Sequence, residues 1–231
     1  MTTIHAGVDF FATEGHAYFP LPMGLGIPEH FFHKGSEPWT GLIQFEGHPF
    51  RKFKDPRTGK EYDTGEADTA VLRKQDVTID KTPGSGKTEI QLVALSLRSC
   101  GPIKVRVGKT DQHWDAEVGV SAHTPSDGSM TITQTSERGG VFESEFRIVP
   151  EFRFVRQADG QRKVLDFGGV KIPQERQTLA ARITTLQAAE VPWLVSHPAD
   201  TLTIAGVTSN FAVARIAHHS HNVVAVQAFL Q

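Results

Sequence analysis

Apolar and polar side chains alternate with a period of two over much of this chain, broken at short intervals by glycine, proline and aspartate. Alternation of that kind puts every second side chain on one face of an extended backbone, so it predicts half-buried strands. The pattern sets in at Gly41–Glu46. After a charged hairpin or loop over Arg51–Glu66 it resumes through Asp68–Arg73, Asp76–Asp80, Glu89–Arg98, Ile103–Val107, Trp114–Ala122 and Met130–Thr135. Val141–Val149, Phe152–Arg156 and Lys163–Phe167 complete it. Ile103-Lys-Val-Arg-Val107 alternates most cleanly, and Glu89–Arg98 is apolar enough for a central strand. Short strands with turn residues at this spacing predict a sandwich or barrel.

The two ends read differently. The first forty residues have no period: Phe10-Phe11, Tyr18-Phe19-Pro20-Leu21-Pro22 and Gly24-Leu25-Gly26-Ile27-Pro28 suggest extended or looped chain held to the body by its rings. Within residues 173–190, Leu179, Ile183 and Leu186 recur at helical spacing, and Pro192 closes the segment. Thr201–Ala205, Phe211–Ala217 and Asn222–Leu230 return to strand texture. No linker or repeat divides the chain. The expectation is a single all-β domain over 1–231, with an antiparallel β-sandwich body over 41–170. An aromatic, Gly/Pro-rich segment (1–40) precedes that body, and a peripheral helix with a C-terminal strand pair (173–231) follows it.

Composition narrows the function classes. With 24 Lys+Arg against 26 Asp+Glu the net charge is −2, without the cationic concentration that non-specific nucleic-acid binding requires. The single Cys100 excludes an intramolecular disulfide framework and a Cys-based zinc knuckle. Phenylalanine supplies 15 residues against three Trp and two Tyr, and a ring without a polar handle is core filler. No apolar run approaches the ~20 residues of a membrane span. The N-terminus has neither a basic n-region nor an apolar h-region. The plain expectation is a cytoplasmic protein, or a secreted or cell-surface one if a leader has been removed.

Several candidate sites stand out. Lys81-Thr-Pro-Gly-Ser-Gly-Lys-Thr88 nearly spells a phosphate-binding loop, whose backbone N–H groups would cradle phosphate. Lys81 replaces its first glycine, and the residues after Thr88 alternate as a strand where the motif needs a helix, so a hairpin turn is expected. His218, His219 and His221 form the densest group among 11 histidines. On a strand His219 and His221 share a face and would offer two imidazoles to zinc or iron, with His30, His33, His113 and His123 as spare ligands. His30-Phe-Phe-His33 reads instead as a pair of core rings flanked by histidines, and Glu143/Glu145 as a solvated strand face. Cys100 follows a strand before Gly101-Pro102 and reads as an inert thiol. No Gly-x-Ser-x-Gly elbow occurs. Thr203–Ala214 is similar to the nucleophile turn of isochorismatase-like hydrolases, but Ala212 stands where those enzymes carry cysteine, and a β-rich body does not fit their layout.

Several strings taken in order carry a wider resemblance. They are Pro28-Glu-His-Phe-Phe-His-Lys-Gly-Ser-Glu-Pro38, Asp68-Thr-Ala-Val-Leu-Arg73 and Ile90-Gln-Leu-Val-Ala-Leu-Ser-Leu97, then Ser129-Met-Thr-Ile-Thr133, Gly139-Gly-Val-Phe-Glu-Ser144 and Phe152-Arg-Phe154. Over roughly residues 7–170 the chain resembles an uncharacterised family of β-rich bacterial proteins, mostly seen with export signals. The resemblance implies a sandwich-like body and no activity. The expectation is a non-catalytic structural or binding protein, with a protein partner or a homo-oligomer as its assembly and no cofactor. The alternative is a metal-dependent enzyme with zinc or iron held at His219 and His221.

Overall fold

The computed structural model describes residues 1–169 apart from 14, 22–25 and 137–138, together with short strands between 193 and 219. In chain order the strands are β1 (Thr2–Ile4), β2 (Gly7–Thr13), β3 (Ala17–Leu21), β4 (Gly41–Gly47), β5 (Arg51–Lys54), β6 (Glu61–Gly65) and β7 (Thr69–Arg73). They continue as β8 (Val77–Ile79), β9 (Gly84–Leu95), β10 (Leu97–Ser99), β11 (Ile103–Val107), β12 (Thr110–Val120), β13 (Ser126–Ser136) and β14 (Gly139–Phe146). The last are β15 (Pro150–Arg156), β16 (Arg162–Asp166), β17 (Trp193–Val195), β18 (Thr203–Ile204), β19 (Val207–Thr208), β20 (Phe211–Val213) and β21 (Ala217–His219). The described residues are all-β and include no helix.

Two large sheets hold most of these strands. Sheet I has the order β16-β15-β12-β10-β4-β3, with β11 also paired to β12. Sheet II has the order β20-β17-β14-β13-β9-β7-β2-β21. Their pairings are antiparallel except that of β2 with β21. Smaller antiparallel pairs join β1 to β8, β5 to β6 and β18 to β19.

Several strands leave one sheet and re-form in the other after a short corner. β9 ends in sheet II, bends at Ser96 and continues as β10 in sheet I. The bend is pinned because Ser96 N–H donates to the Asp68 carbonyl at 2.8 Å and the Ser96 carbonyl accepts from His48 N–H at 2.9 Å. β12 passes to β13 across residues 121–125, and β14 to β15 across Arg147–Val149. Strands that change sheet make the corners of packed β architectures. Accordingly one hydrophobic cluster takes Phe11, Val71, Ile90, Ile132 and Phe142 from sheet II and Phe19, Phe45, Trp114, Phe152 and Phe154 from sheet I.

The strands expected between Gly41 and Phe167 form with small shifts of their ends, and Glu89–Arg98 resolves into the longer β9 plus β10. The first forty residues differ from the sequence expectation, since they supply β1, β2 and β3 rather than loop alone. Residues 7–12 of β2 are all buried. Phe11 enters the main cluster, while Phe10 points the other way, into a second cluster with Val8, Phe53, Ala67, Ala70 and Leu72. The β5–β6 hairpin provides that cover, with the Phe10 and Phe53 rings edge to face at 5.3 Å. A strand covered on both faces shows an apolar run instead of alternation, which is why the period was invisible there. The helix expected over 173–190 and the strand expected over Asn222–Leu230 lie outside the described residues. Among the described residues no helix is long and apolar enough to cross a membrane.

Candidate functional site

The densest grouping of reactive side-chain types is at the corner between β12 and β13. Ser121 follows directly after β12, and its buried Oγ accepts the N–H groups of His123 at 3.1 Å and Thr124 at 3.2 Å. From the end of β16, Asp166 reaches the same corner. Its Oδ2 lies 2.7 Å from His123 Nδ1, its Oδ1 accepts Gly168 N–H at 2.8 Å, and beside it Thr124 Oγ1 donates to the Gly168 carbonyl at 3.2 Å. Burial works to raise the Asp166 pKa, but these hydrogen bonds outweigh it and hold the carboxyl below its usual range. An ionised carboxylate only accepts, so the His123 proton facing it sits on Nδ1. A Cβ on Gly168 would strike Ser121 Oγ, so only glycine permits this close approach.

Serine, histidine and aspartate here do not form a nucleophilic triad. That chemistry needs the serine proton directed at the imidazole and the carboxylate placed behind it. Here Ser121 Oγ takes two backbone donors, the imidazole Nδ1 faces Asp166, and no hydrogen bond joins the serine to the imidazole among the described residues. The carboxylate is the hub: it ties β16 to the β12–β13 corner. The His123 side chain is 66% exposed against 11% for Asp166, so the imidazole meets the carboxylate from the solvent side.

Other buried carboxylates are bound just as fully. Asp68 Oδ2 accepts Thr13 N–H at 2.7 Å, while Oδ1 accepts the hydroxyls of Thr13 at 3.0 Å and Thr69 at 2.7 Å. Burial nevertheless pushes the Asp68 carboxyl up, because desolvation of the charge outweighs these bonds. Asp9 receives Arg73 Nε at 2.7 Å and a second guanidinium nitrogen at 3.2 Å, and Arg73 also donates to the His5 carbonyl.

The sequence candidates fall as follows. In the Lys81–Thr88 string, residues 81–83 form a bend that links β8 to β9 and Gly84–Thr88 lie inside β9; β8 pairs with β1 and not with β9, so the bend is not the expected hairpin. Gly86 pairs with Ile132 of β13, and a Cβ there would meet the Val77 side chain. With its backbone in the sheet ladder, the string offers no cradle for phosphate. In His30-Phe-Phe-His33, Phe32 is fully buried with its ring 5.0 Å from Trp114 and 5.1 Å from Phe154, and both histidines are exposed. His113 and the pair Glu143/Glu145 are exposed on β12 and β14. Cys100 is exposed, with Sγ 3.4 Å from His16 Nδ1. Desolvation and the Glu46 charge push its thiol pKa up, which keeps it protonated and a poor nucleophile.

Of the proposed metal pair, His219 stands in β21 at the register position of Thr13, and His221 lies outside the described residues. No group of three His, Cys, Asp or Glu side chains that could hold a metal occurs among the described residues. The His123–Asp166 pairing was not read from sequence, because 43 positions separate the partners and no local period links them. The visible signal was Asp166-Phe-Gly-Gly169, a carboxylate followed by two glycines where close approach is possible. Compared with known proteins, the chain matches no family model, no curated protein and no solved structure.

Proposed function

We propose that this chain is a non-catalytic structural or binding protein, a single antiparallel β-sandwich that works through contact with another protein or with a second copy of itself. The sandwich reading is supported by strands that change sheet at short corners and by the one cluster fed from both large sheets. The resemblance over roughly residues 7–170 points the same way and carries no activity with it.

The observation that carries the functional reading is the use made of Ser121, His123 and Asp166. Their hydrogen bonds join the β12–β13 corner to the end of β16, with the serine oxygen taken up by two backbone donors and the imidazole by the carboxylate. On this reading the group is a latch. Asp166→Asn is expected to cost about 1 kcal/mol at neutral pH, the worth of a typical buried hydrogen bond. Because the folded carboxyl titrates below its ordinary 3.8, the loss should be present above that pH and should fade as pH drops below it. Thermal melts of both proteins across pH 2–7 read this, and fluorophosphonate labelling of the native chain is run in parallel. Melts that follow this pattern with Ser121 unlabelled are the expected result. Covalent labelling of Ser121 would overturn the non-catalytic reading.

A further inference from the structure

The outward face of sheet I carries a row of charges that only the strand register reveals. Arg153 of β15 pairs with Glu117 of β12, Glu117 pairs with Arg98 of β10, and Arg98 pairs with Glu46 of β4. The row therefore reads Arg–Glu–Arg–Glu across adjacent strands, and all four residues are exposed. Val164 of β16 stands opposite Arg153 at one end and is 55% exposed. At the other end of the face, Tyr18 and Leu42 are 42% and 58% exposed. Arg153 pairs with Glu151 on its own strand, whereas no ion pair joins Arg98 to Glu117 or Glu46 among the described residues. At about 4.8 Å between strands the row spans about 14 Å.

An alternating row of even length is complementary to itself under one particular symmetry. A two-fold axis parallel to the strands, lying between β12 and β10, turns the row end for end and lays it on its own copy. Arg98 then faces Glu117 of the second copy, and Arg153 faces Glu46. A two-fold axis along the row would instead set like charges together, which costs several kcal/mol. Isologous two-fold contacts of this sort are the commonest way a chain self-associates. We infer that the outer face of sheet I is a self-association surface on which a second copy of this chain docks with β12 and β10 about the two-fold axis. This rests on the structural reading above and names its partner. The same symmetry lays Tyr18 over Arg162 of the copy, since Tyr18 pairs with Gln44 and Arg162 with Val155, one row along. A face held by exposed charges loosens as salt screens them.

The test uses the full chain with Arg98→Glu and Glu117→Arg, each made separately and read by analytical ultracentrifugation at low ionic strength. Each substitution sets like charges face to face, so the dimer dissociation constant should rise by more than about a hundredfold. Mixing the two variants should restore a heterodimer, because one copy then presents two carboxylates where the other presents two guanidinium groups. An effect confined to cross-strand pairs within one chain has no means of producing that rescue. Arg153→Glu mixed with Glu46→Arg repeats the test at the row's ends, should either first variant fold poorly. A monomeric native chain, single variants that stay dimeric, or a mixture that stays monomeric would each overturn the docking face. None of these results touches the latch, and labelling of Ser121 would not touch the face, so the two proposals fail separately.

Discussion

Replacing Arg73 by alanine is expected to cost about 3–5 kcal/mol, enough to leave a domain of ordinary stability close to unfolding. The guanidinium is fully buried and Asp9 is 5% exposed, so neither charge has water to fall back on. Two of its nitrogens grip Asp9, and the third donates to the His5 carbonyl. This fork holds β2 against β7, strands that pair through Gly7↔Arg73 and Asp9↔Val71. Removing the cation strands a carboxylate in a site that cannot solvate it. Replacing both partners together, Asp9→Leu with Arg73→Met, removes the unpaired charge as well and should recover most of the loss. Urea denaturation of the single and double variants measures both effects. A single variant within 1 kcal/mol of the native chain would show that the pair does not hold these strands.

Phe152→Ala is expected to cost a similar 3–5 kcal/mol, through a cavity rather than a charge. The ring is 1% exposed and has aromatic neighbours on several sides. Phe19 and Phe167 meet it edge to face, each with centroids 5.8 Å away, Phe154 stacks at 6.1 Å and Phe45 lies at 6.2 Å. β15 places it between Val118 of β12 and Leu165 of β16, so collapse into the void would require three strands to shift. Close-packed interiors relax only partly around such a void. Calorimetry should show a lowered melting temperature with the fold retained, and a loss below 1 kcal/mol would contradict this packing.

Much of the fold was legible where one strand face meets solvent. Ile103–Val107 and Phe152–Arg156 alternate because one face enters the cluster and the other does not. Legibility failed at β2, whose Phe10 and Phe11 are buried on opposite faces by elements far along the chain. It failed again at Ser96, where an apolar run is divided between two sheets by hydrogen bonds to Asp68 and His48. The strand that contains Gly84–Thr88 is legible because the residues after Thr88 alternate, and a period of two cannot open a helix. The site was less legible than the fold. The Asp166 latch, the Asp9–Arg73 pair and the charge row all join residues far apart in the chain, and only strand pairing brings them together.

Histidines were the residues least explained by composition, and the structure gives several of them local duties. His123 covers Asp166, His5 pairs with Asp76 at 2.9 Å, and His33 Nδ1 donates to the Lys34 carbonyl at 2.7 Å. Asp76 is drawn below its usual pKa by the Ala6 N–H and by His5, so the β1–β8 edge carries its own small latch. Side chains spent in this way tie neighbouring segments together, in keeping with the proposal that this protein acts by presenting a surface.

Native mass spectrometry of the full chain at low ionic strength tests that claim most directly, because assembly and bound metal are read from the same peak. The expected mass is twice the 25.4 kDa of the chain, with no added metal. A single-chain mass carrying stoichiometric zinc or iron would contradict it.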